Sequence, residues 1–356
     1  MKKSILVISY VANYNRQGYD IAECLRNAGC NVRLYQKDGE TNREKKNYGV
    51  RCVKPHGFFH KFHMIKNLWS FFWRTVFVKK SIVICVGKPM LLLGGLYKLV
   101  FGSKLIWYSL EYSKLGKIDR FIYKNCVSGY IDVEENRLDA IFKEYGEKKK
   151  SLVCYNMPHR YESLVEGGLL KKYLAENYGF SGNEKLFIYA GSYQKYSCLE
   201  NIVTASKTLS GNTKLILMTY GLPEEIKDSS KNCIIVPPVH GDEFYRWLAD
   251  ADCALLPYES KDDFNVQNCS PQKIFDCYCV GVPYIASDRP IVKKVLGDYS
   301  VAGVICDFTK IESIKSAMDG FTLADNSLKT NMFKLHREKF NYNAMSDKIC
   351  SLIDSL

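Results

Sequence analysis

The segment from Asn265 to Pro290, NVQNCSPQKIFDCYCVGVPYIASDRP, decides how the rest of the chain is read. It passes from a loop into a helix opening at Ser270-Pro271, stops at Gly281, and continues as a short buried strand, Tyr284 to Ser287. A serine oxygen can accept from a free first-turn N–H, and proline suits the first helical position because an N–H there would lack a partner. The pair therefore predicts Ser270 as the N-cap. Such a helix start offers unbonded N–H groups and a positive dipole end, and Lys273 adds a charge in the first turn. Together they form a seat for a phosphate or diphosphate. Asp276, within two turns of the same start, can reach a neighbouring polyol.

Working outward, strand and helix patterns alternate on both sides of this segment. SILVISY, NVRLYQK, GVRCVKP, SIVICVG, KLIWYSLE, SGYIDV and SLVCYNMP read as strands in the first half, with helical stretches such as YDIAECLRNAGC between them. A second series, KLFIYAG, TKLILMTYG, CIIVPPV, CALLPYE and VAGVICDF, flanks the opening segment itself. Strands separated by helices argue for parallel, doubly wound sheets. Residues 160–182 lack strand character and mark the connection. The expected organisation is an α/β chain of two Rossmann-like domains facing a cleft, residues 1–165 and 166–340. A terminal helix, 341–356, is expected to cross back to the first domain.

A chain of 356 residues with 47% hydrophobic content can build two such cores. The fourteen cysteines form no CxxC pair and there is no secretory signal, so they read as reduced thiols in a cytoplasmic protein. No apolar run approaches the roughly 18 residues of a spanning helix. The net charge of +12 is uneven: residues 1–165 carry 29 Lys and Arg against 14 Asp and Glu, and the remainder is slightly acidic. An anionic membrane surface, a phosphorylated lipid and nucleic acid all suit a basic half, but no groove-reading motif supports nucleic acid.

Phe58 to Lys80, FFHKFHMIKNLWSFFWRTVFVKK, reads first as the crossover helix of a βαβ unit. Its mixture of Phe, Trp and Lys/Arg also suits a membrane interface, and the two readings are compatible. His56, His60 and His63 have no neighbouring carboxylate, so no metal site is expected. Met90 to Phe101, MLLLGGLYKLVF, is too short to span; Gly94-Gly95 weakens it as a helix but permits close packing. The loop after the first strand, which includes Asn15 and Gly18, lacks GxGxxG, which argues against a dehydrogenase. Glu111 follows the KLIWYSLE strand, either as a cleft residue at a carboxyl end or as a solvated loop carboxylate.

Two further pieces belong with the opening segment. In YAGSYQKYSCLENIV, Gly191 permits close backbone approach to a ligand, Ser192 can donate a hydrogen bond, and Lys195 can neutralise phosphate charge. In VHGDEFYRWLADADCALLPYES, backbone around Val239 and His240 can pair with a base, and Asp242 reads as an N-cap.

In this order and spacing, the three pieces resemble the donor-binding domain of glycosyltransferase family 4 and its GT-B relatives. The resemblance covers the carboxyl domain well and the amino domain loosely. It implies transfer of a sugar, of hexosyltransferase class, from a nucleotide diphosphate donor, with retention at the anomeric carbon and no cofactor or metal. Asp276 matches the carboxylate that binds the donor ribose. Ser270, with Cys269, Pro271 and Lys273 around it, matches the diphosphate-binding helix start. Asn268 stands where the family has a sugar-facing carboxylate, and Ser192 and Ser197 stand where it often has Arg and Lys. Lys195 and Lys273 are the nearest substitutes. Asn268, Lys195 and Glu111 are thus the catalytic candidates, with Asn15 and Gly18 on the acceptor side.

The implied function is a retaining glycosyltransferase of surface polysaccharide synthesis. It would act on a glycan or lipid-linked acceptor in the cytoplasm, at the inner face of the membrane through the basic half. A nucleotide-sugar 2-epimerase and a non-catalytic nucleotide-sugar-binding subunit are the alternatives. Product formation without an acceptor would mark the first, and donor binding without turnover the second.

Overall fold

A computed structural model of the chain describes residues 3–10, 17–37, 47–50, 52, 60–146, 148–209, 212–227, 232–299 and 302–356. The chain forms two compact units, Met1–Asn156 together with Tyr342–Leu356, and Met157–Asn341.

Unit 1 runs β1 (Ser4–Ser9), α1 (Gln17–Asn27), β2 (Asn31–Lys37), β3 (Asn47–Val50), α2 (His60–Thr75), β4 (Ile82–Val86), α3 (Leu91–Phe101), β5 (Lys104–Tyr108), α4 (Lys117–Asn125), β6 (Val127–Asp132), α5 (Glu135–Tyr145) and β7 (Lys150–Val153). The strands form one parallel sheet in the order β3-β2-β1-β4-β5-β6-β7. The central strands are buried on both faces, which is why they read as continuous apolar runs: all five residues of β4 are buried. Leu6, Ile8, Val83, Cys85, Leu105 and Trp107 form a core with Phe71 of α2, Tyr97 of α3, Tyr123 of α4 and Ile141 of α5. These four helices therefore share one face of the sheet. Helix α3 sits especially close. A Cβ at Gly94 would collide with Cys85 Sγ and Leu105, and one at Gly95 would lie 2.8 Å from Ile122 Cγ2.

Unit 2 runs α6 (Leu169–Tyr178), β8 (Lys185–Ala190), α7 (Leu199–Ser206), β9 (Thr213–Met218), α8 (Glu224–Lys227), β10 (Cys233–Val236), α9 (Asp242–Leu248), β11 (Cys253–Leu256), α10 (Phe264–Gln267), α11 (Gln272–Val280), β12 (Tyr284–Ala286), α12 (Pro290–Tyr299), β13 (Gly303–Ile305), α13 (Ile311–Asp319) and α14 (Asn326–Glu338). Its sheet is also parallel, in the order β10-β9-β8-β11-β12-β13.

The chain then returns to unit 1 as α15 (Ser346–Ser355). Tyr342, 1% exposed, places its hydroxyl 3.1 Å from that of Tyr108. Lys3 pairs with Asp354 at 2.6 Å, and Ser346 Oγ donates to the Cys24 carbonyl at 3.5 Å. The terminal helix thus packs on the amino unit, as expected.

The break between units falls after Asn156 rather than at residue 165. The intervening residues bond into unit 2: Tyr161 Oη donates to Asp242 at 2.9 Å, and the N–H of Tyr161 donates to His336 Nε2 at 3.2 Å. Among the described residues no disulfide forms, and no helix is long and apolar enough to cross a membrane.

Candidate functional site

In unit 2 the strand order reverses direction between β8 and β11. In an open parallel sheet that switch leaves a crevice beyond the carboxyl ends of the two strands, because their following segments leave toward opposite faces. Gly191 is the residue after β8 and adopts φ +150°, a conformation that favours glycine. A Cβ there would collide with Lys273 Nζ and lie 3.1 Å from Cε, so the lysine runs against bare backbone. The ammonium lies 4.7 Å from the Tyr189 ring centroid and 5.6 Å from that of Tyr258, which follows β11. Tyr196 stacks on Tyr258 at 5.7 Å.

Lys273 is thus brought to the switch point from the first turn of α11, between aromatic walls. Burial pushes it down from 10.5 to about 8, with the Asp276 charge opposing that shift. Among the described residues no hydrogen bond or ion pair reaches its ammonium. A partly desolvated cation so placed gains most from an arriving anion.

The start of α11 differs from expectation by one residue. Pro271, at φ −65° and ψ 121°, is the N-cap, and no side chain caps the helix. Ser270 precedes it, 2% exposed, so its hydroxyl sits one position too early for the capping role. The N–H groups of Gln272 and Lys273 stand in the first turn, which has no preceding helical carbonyl to bond them. Helix α9 shows the same displacement: Gly241 at φ +63° is its N-cap, and Asp242 is the first helical residue.

Asp276 is 3% exposed and accepts hydrogen bonds from Tyr245 Oη at 2.9 Å and Gln272 Nε2 at 3.3 Å. Its carboxylate is therefore held in one orientation from α9. Asn268 caps the end of α10 and is 8% exposed; its Nδ2 donates to the Phe264 carbonyl at 3.1 Å. Cys269 between them is half-buried. Ser192, also half-buried, accepts at its backbone oxygen from Tyr189 Oη at 2.8 Å. Lys195 is exposed in a single 3-10 turn, Lys195–Ser197. Of the two lysines the sequence offers, only Lys273 is enclosed. Val239 is half-buried and His240 exposed in the loop before α9.

In unit 1, Glu111 is exposed two residues beyond Ser109, whose Oγ donates to the Glu111 carbonyl at 3.1 Å. Gly18, the second residue of α1, lies against the end of β1, where a Cβ would lie 2.8 Å from Ser9 Cβ. Asn15 lies outside the described residues, as does His56. Among the described residues no group of three or more His, Cys, Asp or Glu side chains is placed to hold a metal ion.

Sequence reasoning missed Tyr189, Tyr196 and Tyr245 as parts of this site. It also missed Arg289, which donates from Nε to the Tyr258 carbonyl at 2.6 Å and pairs with Glu259 at 3.2 Å. Tyr196, beyond the end of β8 in YAGSYQKY, was the available signal.

No family model and no curated protein matches the chain. Solved structures do. A sucrose-phosphate synthase from Thermosynechococcus elongatus matches at 13% identity and TM-score 0.72, over 99% of each chain. Anabaena HepE in complex with UDP-glucose matches at 12% identity and TM-score 0.71, over 99% of this chain and 100% of that one. The lipopolysaccharide outer core galactosyltransferase WaaB matches at 13% identity and TM-score 0.64, over 99% of each. The fold is GT-B. At such identities the likeness is one of architecture: two Rossmann-like units in one chain.

Proposed function

We propose that the chain is a retaining glycosyltransferase of hexosyltransferase class that takes a sugar from a nucleoside diphosphate donor held by unit 2. The observation that carries this reading is Lys273, set at the β8/β11 switch point with its ammonium against Gly191 and the ring faces of Tyr189 and Tyr258. HepE, of the same fold, was solved with UDP-glucose. Here the diphosphate would lie against Lys273 and the first-turn N–H groups of α11, with the ribose toward Asp276. Asn268 would meet the sugar.

Transfer breaks the bond between the anomeric carbon and the β-phosphate oxygen. The acceptor oxygen bonds to that carbon on the same face, and its proton passes to the departing diphosphate. Charge grows on the diphosphate as the bond breaks, and a fixed cation with helix-end N–H groups stabilises it without reorganising. The step requires no metal and no protein base, and Glu111 of unit 1 is the candidate for acceptor contact. The acceptor class we favour is a glycan or lipid-linked sugar of surface polysaccharide synthesis on the cytoplasmic side; WaaB, of the same fold, is a lipopolysaccharide outer core galactosyltransferase.

A thermal-shift screen of the full chain against nucleoside diphosphates and their sugars, repeated with Asp276→Ala, tests the donor reading. Stabilisation by one nucleotide series, weakened in the variant, is expected. If no nucleotide stabilises the native chain, the reading is wrong. Turnover without an acceptor would instead favour the 2-epimerase, and tight binding without transfer or hydrolysis across many acceptors a binding subunit.

A further inference from the structure

We propose that the outer face of α2, α3 and α4 docks on the surface of an anionic lipid membrane. Surface helices ordinarily bury one apolar stripe and turn a polar one to water. Helix α2 has two apolar stripes. Phe71 faces the core with Asn67 and Thr75, all nearly inaccessible. Phe62, Ile65, Trp69 and Trp73, at helical spacing on the opposite side, are 64%, 65%, 58% and 55% exposed. Trp69 and Trp73 meet edge to face at 5.2 Å, so the stripe is a packed aromatic surface rather than scattered residues.

The face continues sideways. On α3, Leu92, Leu96, Leu99 and Val100 are all exposed, again at one-face spacing. Phe72 of α2 stacks on Tyr97 of α3 at 6.2 Å, and Gly95 of α3 lies against Ile122 of α4. Ile118 and Phe121 of α4, one turn apart, are 66% and 57% exposed. Three adjacent helices on one sheet face thus expose apolar side chains together. Contiguous patches of this kind mark interaction surfaces.

Charge selects the occupant. Residues 60–125 hold twelve Lys and Arg against two acids, Glu111 and Asp119. Asp119 is already engaged by Lys88 at 3.7 Å and by the Gly116 N–H at 3.3 Å. Lys66, Arg74, Lys117, Arg120 and Lys124 are exposed at or between the apolar stripes. A second copy packed on this face about a two-fold axis would bring cations against cations with almost no acids to answer them. An anionic headgroup layer pairs with the lysines while Trp and Phe enter the acyl boundary, where aromatic rings settle. The inference stands on unit 1 alone and survives failure of the donor reading. If both hold, unit 1 works at the surface that carries lipid-linked acceptors.

Flotation of the full chain with vesicles of phosphatidylglycerol in phosphatidylcholine, against phosphatidylcholine alone, tests it. Binding to the anionic vesicles that falls at high salt is expected. The double variant Trp69→Glu/Trp73→Glu should bind about tenfold more weakly or worse, since each ring carries a large apolar area. Its melting temperature and response to nucleotides should match the parent, because both side chains are exposed. The charge variant Lys117→Glu/Lys124→Glu should weaken anionic binding and leave any neutral binding unchanged. Binding indifferent to lipid charge, parental binding by the Trp variant, or a lipid-free dimer that the Trp variant dissolves would each overturn the proposal.

Discussion

Replacing Lys273 by Met probes the candidate site through two measurements that should move in opposite directions. The lysine's folded-state value lies at about 8, against 10.5 ordinarily, because burial disfavours its charge. Below pH 8 the folded protein therefore carries a cost that fades as pH rises from about 8 toward 10.5. That shift corresponds to about 3 kcal/mol. The side chain keeps some contact with solvent, so removal of the charge should stabilise the ligand-free protein by about 1–2 kcal/mol at pH 7. For a unit of this size that raises the melting temperature by about 2–8 °C. Nucleotide binding should respond the other way. A hydrogen bond from a charged donor to phosphate is worth about 1.5–3 kcal/mol, so affinity should fall roughly 10- to 100-fold. At 100 times the parent's dissociation constant, the ligand adds about 2.7 kcal/mol to the parent and about 0.4–1.4 kcal/mol to the variant. Urea unfolding with and without nucleotide at pH 7 measures both. A variant no more stable than the parent, with an undiminished nucleotide effect, would refute the placement of Lys273 as a strained cation awaiting an anion.

Two other expectations follow from the same geometry. Gly191→Ala forces a Cβ into Lys273 at φ +150°, so calorimetry should show at least about tenfold weaker nucleotide binding, and urea unfolding a loss of about 1–3 kcal/mol. His336 is fully buried, hydrogen-bonded at 3.2 Å to the Tyr161 N–H and at 3.0 Å to the Phe340 carbonyl, and burial pushes it down to about 4. Its neutral form stabilises the fold, and that contribution, about 3 kcal/mol, is present above pH 6.5 and lost as pH falls through 4. A His336→Gln variant should show a flatter stability profile between those values; an unchanged profile would remove His336 as the cause.

The two-sheet plan was legible because central parallel strands buried on both faces, such as β4, β5, β8 and β11, are apolar along nearly their whole length, and strand patterns alternate with helices from Ser4 to Ile305. Gly281 closes α11 at φ +69°, as a glycine after the last apolar residue indicates. Local capping chemistry was less secure. Ser270 and Asp242 carry suitable side chains, but Pro271 and Gly241 hold the cap positions, and a shift of one residue costs local sequence preference little.

What the sequence determined by itself was therefore the class of fold, the basic amino half and the α11 start with Lys273 in its first turn. What only the tertiary structure decided was which groups meet there. Tyr189, Gly191, Tyr258 and Lys273 are spread over 85 positions of sequence and converge because β8 and β11 are neighbours in the sheet. The contrast between Lys195 and Lys273 arises in the same way. Lys195 sits in a 3-10 turn after β8 and Lys273 in the first turn of α11, and only the second is enclosed by backbone and rings that lower its hydration. The outward aromatic stripe of α2 belongs with them. Composition shows that the aromatic residues exist, but a helix facing a core and a helix facing outward have the same spacing until the sheet beneath them fixes which side is covered.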